Sequence, residues 1–137
     1  MMRSIICLSM AALLLSSSAC TEYKESDETE IEASGSAGTL ALCLTDKGYV
    51  MYGSNTCSGC RSQQKLFGPA FAHIRKVECN PHAPNNEAER CLNRKIRTTP
   101  TWIQEQDGAE IRRLEGYQLL EDLASFAECD LQEAAPF

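Results

Sequence analysis

Tyr49-Val50-Met51-Tyr52-Gly53-Ser54-Asn55-Thr56-Cys57-Ser58-Gly59-Cys60 reads as a strand, a three-residue turn and the first turn of a helix. The aromatic and β-branched run suits a strand, and Ser54-Asn55-Thr56 is turn chemistry. Cys57 and Cys60, three residues apart, then share one helix face. Placement at a helix start matters because the first amides there have no intrahelical acceptor, and together with the positive end of the helix dipole they favour a thiolate. Cys57, at the cap, gains most from the amides near Gly59 and Cys60. Cys60 lies deeper, where it can attack a mixed disulfide formed on Cys57. The expected roles are therefore Cys57 attacking and Cys60 resolving.

Working outward, Leu40 to Leu44 is a short apolar lead-in with the length of a helical turn. The helix from Cys57 is expected to bend or break at Gly68-Pro69, where the ring removes a backbone donor. A second strand is expected at Ile74 to Cys79 and a loop at Asn80 to Asn86, with Asn86 capping a helix that runs to Lys95. Thr101 to Gln104 forms a third strand. Asp107-Gly108 signals a tight turn into a fourth, Glu110 to Leu114. The final helix, Gln118 to Glu128, spaces Leu119, Leu120, Leu123 and Phe126 as a core stripe. The order is strand, helix, strand, helix, strand, strand, helix, an α/β single domain whose first βαβ unit is parallel and right-handed. Its sheet is mixed.

The chain has 137 residues, eight cysteines and a formal charge of −6. Six of its acids fall between residues 21 and 34, whereas the rest beyond 34 holds eleven basic and thirteen acidic residues. No basic stripe supplies the phosphate-neutralising contribution that nucleic-acid binding needs, so no nucleic-acid partner is expected. Met1-Met2-Arg3, the apolar run Ile5 to Leu15 and the small residues Ser16 to Ala19 read as a signal peptide over 1–19, too short to span a bilayer. Cys20 stands where bacterial lipoprotein signals are cut and acylated, although Ser17 occupies the position where such motifs carry Leu. Ordinary cleavage after Ser17-Ser18-Ala19 is the other reading. Residues 20–39 are then a lipidation Cys and a disordered acidic tether, 40–132 the domain and 133–137 a tail. An exported, membrane-anchored location on the periplasmic or cell-envelope side follows, in which disulfides persist.

A lone CxxC also occurs as half of a zinc site. Cys79-Asn80-Pro81-His82 supplies a C-x-x-H, so a Cys3His set of Cys57, Cys60, Cys79 and His82 competes with redox exchange. An exported context and the helix-start position favour exchange, with no metal and no bound cofactor.

The element order, with Cys57-x-x-Cys60 at the first helix and Pro100 opening the third strand, resembles the thioredoxin fold. Further landmarks are Leu42-Cys43-Leu44-Thr45-Asp46-Lys47-Gly48, Met51-Tyr52-Gly53, Lys65-Leu66-Phe67-Gly68, Val77-Glu78-Cys79, Cys91 and Pro100-Thr101-Trp102. From Leu40 to Leu131 these resemble the thioredoxin-like domain fused to bacterial vitamin K epoxide reductase homologues. The resemblance implies a cis-proline at Thr99-Pro100 opposite the CxxC, with Thr99 and Pro100 on the substrate side. It also implies disulfide exchange with exported proteins, coupled to a quinone-linked membrane enzyme that here is a separate partner. The protein is expected to be a monomer. Relatives carry an aromatic residue before the first cysteine and His or Pro between the pair, where this chain has Thr56 and Ser58-Gly59. Thioredoxin itself keeps a buried acid where Met51 stands.

With Cys57 and Cys60 paired and Cys20 lipidated, Cys43, Cys79, Cys91 and Cys129 allow three connectivities. Cys79 with Cys91 and Cys43 with Cys129 is the expected set, the alternative being that some are buried free thiols. Trp102, Phe67, Phe71 and Phe126 read as core, and His73 as a helix-end residue. Glu78 reads as a solvated strand-end charge or a proton carrier for Cys60.

Overall fold

The computed structural model describes residues Gly35 to Leu131. The expected signal peptide, Cys20, most of the tether and the 133–137 tail lie outside the described residues.

Helix α1 spans Ser36–Asp46 and buries Gly38, Leu40, Ala41 and Leu44 on one stripe. The domain thus begins at least four residues before the expected boundary at 40, and the lead-in is a full helix. Ser, Ala and Gly before Leu40 resemble tether by composition, but packing of an apolar stripe outweighs weak local propensity. Strand β1, Tyr49–Gly53, is buried along its whole length, as expected of a central strand covered on both faces. Helix α2 spans Ser58–Phe67 and passes at Gly68 into a 3-10 helix, Gly68–His73, with Pro69 in its first turn. His73 ends that turn, and its carbonyl accepts from the Thr45 hydroxyl at 2.7 Å.

Strand β2, Arg75–Glu78, pairs parallel to β1, with Gly53 opposite Glu78. Helix α3 is the short Ala88–Asn93, ending before Lys95. Asn86 Oδ1 accepts from the Ala88 amide at 3.2 Å, although Glu87 holds the cap position itself. Strand β3, Thr101–Gln106, runs antiparallel to β1 with Trp102 opposite Met51, and β4, Ala109–Glu115, completes the sheet order β2-β1-β3-β4. Asp107 and Gly108 both have positive φ, 50° and 78°, the backbone of a tight hairpin whose twist matches the strands. Helix α4 spans Leu120–Ala127 and buries Leu123, Ala124 and Ala127. Leu119 is 45% exposed, contrary to its expected core role, because it caps the helix in extended conformation and so leaves the buried stripe.

Alternation along β1 sends Tyr49 and Met51 to one sheet face and Val50 and Tyr52 to the other. The first face packs with Leu40, Leu44, Phe67, Trp102 and Leu123, with Phe71 and Phe126 partly buried at its margin. The second is smaller: Val50, Tyr52, Val77, Cys91 and Ile103. There the Glu105 carboxylate accepts from Tyr52 Oη and pairs with Arg90 at 2.7 Å and Arg94 at 3.2 Å. Each face has its own covalent tie. Cys43 of α1 is bonded to Cys129 after α4, and Cys79 after β2 to Cys91 of α3.

Candidate functional site

The site forms where β1 hands over to α2. Gly53 ends the strand, and a Cβ built there would lie 3.0 Å from Cys60 Sγ, so glycine lets the sulfur sit against the backbone. The turn then folds on itself, with Cys57 N–H donating to Ser54 O at 3.2 Å. Cys57 is the N-cap of α2, with extended φ and ψ of −79° and 124°, and its sulfur accepts from Cys60 N–H at 3.1 Å. This is a cap interaction of the usual kind with sulfur in the place of oxygen. As a thiol, Cys57 also donates to Thr99 O at 3.2 Å.

Thr99-Pro100 is cis. Pro100 is buried and faces Gly59, where an added Cβ would meet Pro100 Cδ at 3.3 Å. Gly116 N–H donates to Pro100 O at 2.7 Å, tying the proline segment to the end of β4. The structure therefore brings Cys57, Cys60, Thr99 and Pro100 into one site. Cys43, Cys129, Cys79 and Cys91 stand in two disulfides apart from the pair, and Cys20 lies outside the described residues.

Two free thiols three residues apart occupy different environments. Burial alone pushes the Cys57 thiol up, but bonds from Cys60, the Thr99 side chain and the amides of Cys60 and Gly59 outweigh it and hold Cys57 below its ordinary value. Cys60 is 3% exposed, and burial, reinforced by its bond to Cys57, pushes its thiol up to about 11. The Ser54 amide, 3.4 Å from Cys60 Sγ, is the main opposing influence. Such a divergence separates an attacking thiolate from a resolving thiol.

The zinc alternative loses a ligand. Cys79 is joined to Cys91, so it cannot serve with Cys57, Cys60 and His82, and no three His, Cys, Asp or Glu side chains gather as a metal site among the described residues. Trp102 is fully buried in the first-face core, 6.0 Å from the Phe67 ring.

Several site residues escaped the sequence reading. Gly53 and Gly59 matter through close approach, for which a glycine before and within a CxxC was a signal. Gln63, fully buried on α2, donates to Gln118 O at 3.0 Å and accepts from Gln118 N–H at 2.9 Å. It anchors α2 to the segment before α4, and only its place on the inner helix face hinted at this. A cavity of about 180 Å³ beside Cys60 is lined by Met51, Ser54, Asn55, Arg61, Gln64 and Lys76.

No family model matches the chain. Among solved structures, it is similar to a thioredoxin h from Nicotiana alata at 14% identity, covering 57% of this chain and 67% of that one with a TM-score of 0.45. Fasciola hepatica thioredoxin aligns at 17% identity over 72% of this chain and 97% of its own, TM-score 0.44. Thioredoxin O2 of Arabidopsis thaliana, in its oxidised state, aligns at 14% over 74% and 87%, TM-score 0.43. The topology stands on the chain's own geometry: a β2-β1-β3-β4 sheet with one parallel pair, a CxxC at the helix start after the central strand and a cis-proline against it. The described residues form a single α/β domain of the thioredoxin fold.

Proposed function

We propose that this chain is a thiol-disulfide oxidoreductase acting on protein thiols and disulfides. The observation that carries the reading is the Cys57 sulfur at the α2 N-cap, held between the Cys60 amide and the Thr99 carbonyl of the cis-proline segment. In the reducing direction, the Cys57 thiolate attacks one sulfur of a substrate disulfide. A new S–S bond forms, the substrate bond breaks, and its other sulfur leaves as thiolate. The Cys60 thiolate then attacks Cys57 Sγ, closing Cys57–Cys60 and releasing the second substrate thiolate. Two electrons have passed to the substrate. Oxidation of substrate dithiols runs the same steps backwards.

Oxidation in the cell envelope is the working direction in this proposal, with a separate membrane enzyme of the vitamin K epoxide reductase type returning the electrons to a quinone and Cys20 tethering the domain near it. Supporting this are the resemblance of the landmarks, the signal-like N-terminus, and two structural disulfides of the sort that persist in oxidising compartments. No cofactor is required by the exchange itself.

The deciding experiment follows reduction of a peptide disulfide by dithiothreitol, which supplies the electrons, with and without catalytic amounts of the protein. Wild-type protein accelerates it and Cys57→Ser falls to the rate without protein; a Cys57→Ser variant as fast as wild type overturns the proposal.

A further inference from the structure

Glu78 closes β2, and the structure does not leave it the solvated strand-end charge that was one of its two sequence readings. Its side chain is only 14% exposed. The Asn55 amide donates to Oε1 at 3.2 Å and to Oε2 at 3.0 Å, the Asn80 amide donates to Oε1 at 3.0 Å, and Lys76 Nζ lies 3.0 Å from Oε2. Burial opposes its ionisation, but the Asn80 amide, Lys76 and the Asn55 amide outweigh that and hold the carboxyl below the usual range. Around this centre the two loops are laced further. Asn80 Nδ2 donates to Asn55 Oδ1 at 3.0 Å, and Cys79 N–H to Gly53 O at 2.8 Å.

The braced turn is the one on which both thiols depend. Ser54, next to Asn55, gives its carbonyl to the Cys57 amide at 3.2 Å and its own amide to Cys60 Sγ at 3.4 Å. Asn55 and Thr56 are exposed, so little packing holds this turn. An amide helps a thiolate only while it is aimed at the sulfur, and a carboxylate accepting several N–H groups supplies strong charge-assisted bonds for aiming it.

We infer that Glu78 is a positioning residue for the resolving half of the exchange, holding the Ser54-Asn55-Thr56 turn so that the Ser54 amide stays on Cys60 Sγ. The inference rests on the exchange reading of Cys57 and Cys60. In the step concerned, Cys60 must become a thiolate and attack Cys57 Sγ. The Cys60–Cys57 bond forms, the bond from Cys57 to the substrate sulfur breaks, and the substrate leaves with the electron pair as thiolate.

The test loads a peptide thiol onto Cys57 as a mixed disulfide and times its release, alongside the rate of Cys57 attack measured in a Cys60→Ser background. Glu78→Ala is expected to slow release about tenfold, the value of a charge-assisted bond, while changing attack by less than about twofold. Glu78→Gln, whose amide oxygen still reaches the Asn55 amide, recovers much of the rate, with release slowed about threefold. Hydrogen exchange at the Asn55 amide rises in Glu78→Ala and less in Glu78→Gln. Unchanged release in Glu78→Ala with Asn55 protection lost overturns the inference. So does a Glu78→Gln protein as slow as Glu78→Ala with Asn55 still protected, since that assigns proton transfer. If Glu78→Ala does not fold, Glu78→Gln decides: slowed release with normal attack supports the brace, and normal release overturns it. Wild-type protein without exchange activity defeats the parent reading, whereas the Asn55 amide measurement reports on the brace by itself.

Discussion

Six cysteines of the domain fall into two kinds of pair, and the difference lies in where each sulfur meets a helix. Cys57 caps α2 and its sulfur accepts from the Cys60 amide, while Cys60, in the first turn, accepts from the Ser54 amide. Cys43 sits well inside α1, where neighbouring amides already serve intrahelical bonds, Cys91 lies in the short α3 with its own amide given to Glu87 O, Cys79 follows β2, and Cys129 follows the C-terminal end of α4. None of those four caps a helix. In the proposed exchange, one chemistry, the disulfide, would serve as reagent at a helix N-terminus, while elsewhere it is a staple.

The sharpest way to break this comparison is to remove Cys60. Cys60→Ser should leave Cys57 able to attack but unable to release, so a covalent substrate adduct accumulates, seen as a mass increase that disappears on reduction. A Cys60→Ser protein that turns over normally would erase the distinction between the two roles.

Next come the staples, whose removal should cost stability and spare exchange in the protein that stays folded. Loop-entropy scaling gives about 4.5 kcal/mol for Cys43–Cys129, with a sequence separation of 86, and about 3 kcal/mol for Cys79–Cys91, with a separation of 12. Denaturant unfolding of Cys43→Ala/Cys129→Ala and Cys79→Ala/Cys91→Ala double variants checks both size and order. A larger loss from the shorter loop would show that native packing around α3, not chain entropy, dominates.

The smallest expected effect lies within the reactive pair. In reduced protein at pH 7, iodoacetamide should add one group, on Cys57, because its thiol lies below the ordinary value. Cys60 should resist until the pH nears about 11, where its buried thiol ionises. The sign follows from the environment: donors stabilise the Cys57 anion, and burial penalises the Cys60 anion. Equal labelling of both at neutral pH would contradict that contrast.

Much of the site was legible because its chemistry is local. A turn before Cys57 and a helix after it place two sulfurs at a helix start whatever the rest of the chain does, and β1 was recognisable from its uninterrupted apolar run. Gly68-Pro69 likewise marked the change of helix type, and Asp107-Gly108 the hairpin. Less legible were features that local propensity opposes or leaves neutral. Ser36 to Thr39 resembled a linker until Leu40 and Leu44 found the core, and Leu119 fitted a helical stripe that its extended cap conformation denies it.

By itself, then, the sequence determined the βαβ beginning, the CxxC at its helix start and which of the two sulfurs takes the cap, since these depend on spacing along a few residues. Tertiary structure alone decided which of three connectivities joins the remaining four cysteines, that Thr99 and Pro100 face Cys57 and Gly59, and that Glu78 clamps Asn55 from 23 residues away. These are long-range encounters. The Glu78 clamp depends on the parallel register of β1 with β2 and the Thr99-Pro100 contact on the antiparallel register of β1 with β3, which the whole core sets together and no short stretch of sequence encodes.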